Sequence, residues 1–243
     1  MTVQTSSDVV PVDAEEGRVD PVMPDVIDAI TGRRSIRAFL DRPVSMAQVT
    51  AVLDAARWAP SGANMQPWDV HVVQGATKAR LTRALLDARN AGTAETADYQ
   101  YYPTTWFEPF AARRVALGVQ MYRALGAARS PAARKESWNR NYDFFGAPVG
   151  LLFFVDARLE TGSWVDCGMF IQNVMLAARA YGLETCPQAS LAEYPDAVRS
   201  VLGVPADRRL ICGISLGHPD PAAPVNAFER SRVPVESFTR VHD

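Results

Sequence analysis

The sequence predicts an α+β sandwich, and three observations carry that expectation. Helical segments dominate the 243 residues. The strand-like segments are few and do not alternate regularly with helices, as those of a doubly wound fold would. One of them, Val149 to Val155, is an unbroken apolar run of strand length, which belongs in a sheet covered on both faces.

The elements follow in order. Residues 1–22 are polar and acidic without hydrophobic period and read as a flexible tail; 23–243 read as a single domain. A helix is expected from Pro24, which suits a first turn, with Val26, Ile27 and Ile30 on one face and an end near Gly32. Ser45 and Gln48 have the spacing of a capping box, and Val49, Val52, Leu53 and Ala56 form the apolar face of the helix that follows. It stops before Pro60. A short polar loop, Ser61 to Gln66, leads into a strand from about Trp68 to Val73. Thr77 to Asn90 reads as a helix. Residues 95–110 are aromatic and proline-containing, and read as a lid or insertion. Ala111 to Leu125 is helical again. A long helix opens at Ser163 and ends at Gly182. Residues 183–188 and Leu210 to Leu216 read as strands around a helix from Tyr194 to Leu202. The proline-rich chain after Gly217 is expected to be extended.

Composition narrows the function. The chain is 48% hydrophobic and 21% charged, with net charge −2 and pI near 6.0. That balance gives no reason to expect nucleic acid or an anionic membrane as partner. Three cysteines without a CxxC pair argue against a disulfide framework or a zinc site, and no metal is expected. The opening residues lack the basic and apolar regions of a signal peptide, so a reducing cytoplasm is the expected location. No apolar run approaches the roughly 20 residues of a membrane span.

Two motifs carry chemistry. Arg33-Arg34-Ser35-Ile36-Arg37 follows a helix end. It reads either as a solvated basic turn or as an anion site, because the arginine fork grips phosphate through paired hydrogen bonds. The second is Ala59-Pro60-Ser61-Gly62-Ala63-Asn64-Met65-Gln66-Pro67-Trp68. It reads either as an ordinary connection or as a loop against a planar ring, with Asn64 and Gln66 offering both donors and acceptors. Two further stretches matter: Asp166 to Cys186, and Asn226 with Arg230-Ser231-Arg232. A nucleophile elbow is also spelled by Gly213-Ile214-Ser215-Leu216-Gly217, with Asp220 and His242 following in hydrolase order. The elbow requires a helix directly after the serine, which Pro219, Pro221 and Pro224 forbid. No GxGxxG or P-loop is present.

Taken together, the R-R-S-x-R turn and the A-P-S-G-x-N-x-Q-P-W loop resemble the FMN-dependent nitroreductase family from about Pro24 onward. The resemblance implies an α/β sandwich with a central mixed, mainly antiparallel sheet flanked by helices, in an intertwined homodimer with FMN at the interface. Gln172, Asn173 and Leu176 stand where the family's central helix helps build the dimer core. By position, Arg33, Arg34, Ser35 and Arg37 bind FMN, Arg230 and Arg232 add phosphate contacts, and Pro187, Gln188 and Ala189 lie near the reactive edge of the ring. Pro60, Ser61, Gly62 and Asn64 pack on the flavin from the other chain, and Gln66 of the same loop is a further cofactor-binding candidate. The implied reaction is ping-pong: NAD(P)H reduces the flavin, then a nitroaromatic, quinone or similar electron-poor acceptor takes the electrons. The flavin carries the chemistry and no catalytic side chain is assigned.

The chain departs from the family at Cys186-Pro187-Gln188, where many members have G-x-x-x-W. Trp106, Phe107 and Phe110 of the aromatic insertion either line the acceptor pocket or pack the lid to the body. Other reactions on the same scaffold stay open, namely reductive dehalogenation, dehydrogenation or flavin breakdown, as does a non-catalytic FMN storage protein. The natural acceptor, the choice between NADH and NADPH, and oxygen sensitivity are not encoded legibly.

Overall fold

The computed structural model describes residues 20–22, 25–127 and 130–242. Pro24 and most of the 1–22 tail lie outside them. In chain order the elements are α1 (Val26–Gly32), α2 (Met46–Ala56), β1 (Asp69–Gln74), α3 (Gly75–Asn90), α4 (Phe110–Ala124), α5 (Pro131–Asn139), β2 (Val149–Asp156), α6 (Thr161–Ala180), β3 (Glu184–Gln188), α7 (Pro195–Leu202) and β4 (Arg208–Gly217).

The four strands form one sheet in the order β1-β2-β4-β3, every neighbour antiparallel. A single parallel bridge, Ser35 to Thr185, adds the incoming chain to the free edge of β3, so the sheet is mixed and mainly antiparallel as expected. β2 is buried along nearly its whole length. Its residues alternate between two cores, as the pleat requires. Val149, Leu151, Phe153 and Val155 join the core under α2 and α6, whereas Leu152 and Phe154 join the one under α3 and α7. A bulge keeps β4 in step. The pairing moves from Phe153–Cys212 to Phe154–Leu210, so Ile211 is the extra residue.

The helices form where their local signals predict. The capping box is complete: Ser45 N–H donates to Gln48 Oε1 (3.1 Å) and Gln48 N–H to Ser45 Oγ (3.2 Å). Val49, Val52 and Ala56 are fully buried below it. α6 turns Cys167, Phe170, Ile171, Val174, Met175 and Ala178 inward at helical spacing. It begins two residues before the expected Ser163, and Gly182 ends it in the left-handed conformation (φ 68°).

One helix escaped the sequence reading. α5 carries its own start signal, Ser130 capping Ala133 N–H (3.1 Å) ahead of Pro131 in the first turn. Between α3 and α4 the chain makes no helix or strand. It is pinned nonetheless. Asp98 accepts from Leu210 N–H (2.8 Å) and pairs with Arg199, and Tyr99 Oη donates to Ile211 O (2.6 Å). No helix among the described residues is long and apolar enough to cross a membrane.

Candidate functional site

The basic turn is shaped by the sheet edge. α1 ends at Gly32, and Ile36 then buries its side chain while its N–H donates to Thr185 O (3.0 Å). This stitches the Arg33–Arg37 stretch to the strand that ends at Pro187-Gln188-Ala189. Asn226 clamps it from the other side. Its Oδ1 accepts from Arg37 N–H (2.8 Å), and its Nδ2 donates to Ala38 O (2.8 Å) and Asp220 O (2.9 Å).

The C-terminal arginines arrive at the same place. Arg230 donates to the carbonyls of Arg33 and Thr31, and Arg34 donates to Phe228 O. Burial first, and then mutual repulsion, lowers the Arg33 and Arg230 pKa values, Arg232 contributing to both. The nearby acid, Glu184, is already held by Arg179 at 2.6 Å, and burial raises its pKa. Clustered guanidiniums with their local carboxylate engaged fit a phosphate dianion, which would relieve their repulsion. Thr185 Oγ1 is also buried without a hydrogen-bond partner among the described residues.

At the other end of β3, Gln188 is buried and fully used. Its Nε2 donates to Asn141 O (2.8 Å), and its Oε1 accepts from the Ser215 hydroxyl. Ser215 is completely buried inside β4, with no helix after it, so the elbow spelled by the sequence is a strand. Its hydroxyl orients Gln188. Cys186 lies between the motifs. Burial pushes its thiol up to about 11, against the pull of Arg37, Ser35 and Arg33.

Arg37, Pro187, Gln188 and Ala189 line one cavity of about 1200 Å³. Ligand pockets are commonly about 300–1,000 Å³, so this one has room for a tricyclic ring and a second molecule. Tyr99, Tyr101 and Tyr102 of the insertion form one wall. α4 forms another, and it has no buried residue of its own. Tyr122 and Arg134, stacked at 5.7 Å, are on the wall with Trp138 and Asn141. Trp106, Phe107 and Phe110 are not. Phe107 and Phe110 are exposed and pack edge-on at 5.2 Å, and Trp106 supports Arg114 at 4.8 Å. From this stretch the aromatics that reach the cavity wall are instead the tyrosines just upstream, which the sequence reading placed in the lid without a site role. Arg134, Trp138 and Asn141 were missed with α5, whose Ser130-Pro131 signal marked the element but not its direction.

The Pro60–Gln66 loop does not line this cavity. It stands out by its backbone. Ala63, Asn64 and Gln66 all have positive φ (49°, 56° and 51°), a conformation non-glycine residues rarely adopt and one that gathers at ligand sites. Asp166 Oδ2 accepts from Gly62 N–H (3.1 Å), and Ser61 Oγ accepts from Gln66 N–H (2.9 Å), so part of the polar set is spent holding the loop. A methyl group at Gly62 would meet only Asp166 Oδ2, at 3.8 Å. No other described residue comes near enough to require glycine there. The neighbouring surface is apolar and open, with Trp58, Met65, Val165 and Met169 exposed.

The fold has known counterparts. The nitroreductase family profile matches residues 30–218, and the chain belongs to that family. It is 39% identical over 226 residues to a nitrobenzene nitroreductase of Ectopseudomonas oleovorans, covering 92% of this chain and 100% of the relative. It is 40% identical over 217 residues to a 4-nitrobenzoate reductase of Nocardioides sp. (strain LMS-CY), covering 87% and 88%. Among solved structures it is similar to the FMN-dependent nitroreductase NfnB from Mycobacterium smegmatis in complex with NADPH. There the TM-score is 0.85 and the identity 36%, over 89% of this chain and 97% of that one.

Proposed function

We propose that this protein reduces nitroaromatic compounds with electrons from a nicotinamide dinucleotide, using FMN held beside Arg37 and the 187–189 segment. One observation carries the reading: the Ser35–Thr185 bridge sets the arginine turn on the strand whose end opens into the large cavity. Arg33, Arg34, Arg230 and Arg232 would hold the phosphate, with Ser35 beside them. Arg37 would meet the pyrimidine edge, and Pro187, Gln188 and Ala189 would pack along the ring. FMN bound there would supply the redox chemistry between NADPH or NADH and the acceptor. The protein binds, orients and excludes water; no side chain is assigned a covalent step.

The open loop at Pro60, Ser61, Gly62, Asn64 and Gln66, with its exposed apolar surroundings, fits a second copy of the chain, which would bring that loop against the flavin. We therefore propose a homodimer with two shared sites, in the cytoplasm. A panel of nitrobenzene, nitrobenzoate and quinones, offered anaerobically to the prereduced protein, tests the reaction. Reoxidation by nitroaromatics supports it; no reoxidation by any of them contradicts it.

A further inference from the structure

The cavity beside the flavin site carries more positive charge than a phosphate-distal pocket for an uncharged aromatic needs. Its lining includes Arg37, Arg114, Arg123 and Arg140, set against Glu95 and Glu193. Of the acids, Glu193 is already engaged, accepting from the Tyr142 hydroxyl, and burial favours its neutral form. Of the bases, Arg140 donates to Phe145 O (3.4 Å). Arg114 makes no ion pair among the described residues. Its guanidinium lies over the Trp106 ring at 4.8 Å. A guanidinium stacked this way is fixed in orientation and keeps its N–H edge for a planar anion, which is how arginine selects carboxylate and phosphate groups.

We propose that Arg114, held by Trp106, binds an oxyanion group of a small molecule entering this cavity, so that the pocket favours substrates carrying that group over analogues that lack it. The proposal rests on the reductase reading and names the substrate class of the same site. The shared chemistry is an oxyanion that a guanidinium fork can grip. Its sources are the carboxylate of an acceptor such as nitrobenzoate and the 2′-phosphate that distinguishes NADPH from NADH.

The test measures two ratios in the FMN-loaded protein. One is kcat/KM for 4-nitrobenzoate over nitrobenzene, the other kcat/KM for NADPH over NADH. Both are compared in wild type, Arg114→Ala, Arg114→Lys and the distant surface control Arg158→Ala. A calorimetric titration with benzoate and with benzamide reads binding without turnover. Loss of a charge-assisted contact predicts a fall of at least about tenfold in one ratio for Arg114→Ala. Arg114→Lys should recover only part of it, because an ammonium lacks the fork, and Arg158→Ala should leave both ratios unchanged. A fall in the acceptor ratio, with weaker benzoate binding, assigns the anion to the acceptor; a fall in the nucleotide ratio assigns it to the donor. Both ratios unchanged in Arg114→Ala overturns the proposal. Failure of the reductase reading looks different: the wild-type protein then turns over neither acceptor, while the benzoate titration still reports whether Arg114 binds an anion.

Discussion

Arg37 makes three connections that no neighbour shares. Its N–H is fixed by Asn226, its Nη1 donates to Ser35 O (3.2 Å), and its side chain reaches the cavity wall. Arg37→Ala and Arg232→Ala should each weaken FMN binding by about 1.5–3 kcal/mol, the worth of a charge-assisted hydrogen bond. Titration of the flavin-free protein with FMN measures it, and unchanged affinity in both variants contradicts the phosphate and pyrimidine assignments. Ser215 makes the opposite kind of prediction. Ser215→Ala leaves Gln188 Oε1 buried without its donor, so stability should drop by about 1–3 kcal/mol in denaturant unfolding. An esterase activity that disappears in this variant would instead revive the hydrolase reading. Glu193 predicts a pH effect. Burial raises its folded pKa above the ordinary 4.5, so its contribution to stability is full below that value and is lost as pH rises through the folded one. Denaturant midpoints at about pH 5 and about pH 7 should therefore differ less in Glu193→Gln than in wild type.

At the scale of elements, short-range signals were legible and long-range ones were not. The Ser45–Gln48 box, the span of α6 and the doubly buried β2 are properties of neighbouring residues, and each was readable. The antiparallel pairing and the Ile211 bulge depend on residues some sixty positions apart in the chain, such as Phe153 and Cys212, and sequence pattern alone does not carry register. The same division holds for the site. The arginine turn and the Pro60–Gln66 loop announce themselves by composition. The cavity wall from Tyr99 to Tyr102 and from α5 does not, because its function lies in where the insertion is anchored. Asp98 is that anchor. Asp98→Ala removes the acceptor for Leu210 N–H and the partner of Arg199, and limited proteolysis should then cut within 93–109 faster than in wild type. Equal cleavage rates would mean that Tyr99 and the aromatic packing hold the segment alone. Gly150 is a packing counterpart. A Cβ there would lie 2.3 Å from the buried Phe144 ring, so Gly150→Ala should destabilise by about 1–3 kcal/mol.

At the scale of the whole molecule, one chain leaves its own surface unfinished. Ile27 and Ile30 on α1, Trp58, Met65 and Val165 near the strained loop, and Phe238 in the C-terminal segment are all exposed. Residues 231–242 are exposed throughout, and Arg230 just before them reaches back to the carbonyls of Thr31 in α1 and of Arg33 just past it. Such a surface, beside a glycine that no described residue crowds, fits the homodimer proposed above. Sedimentation should find a dimer with one FMN per chain. A monomer that still holds FMN would contradict the shared site while leaving the arginine cluster intact.

The central claim is a flavin that accepts electrons from a nicotinamide and gives them to a nitroaromatic. The most direct measurement is the visible absorption spectrum of the purified protein without oxygen, before and after NADPH or NADH, and again after nitrobenzene. The account predicts a flavin spectrum that bleaches with nucleotide and returns with the nitro compound. A protein that shows no flavin spectrum even after reconstitution with FMN, or one that neither nucleotide bleaches, would contradict it.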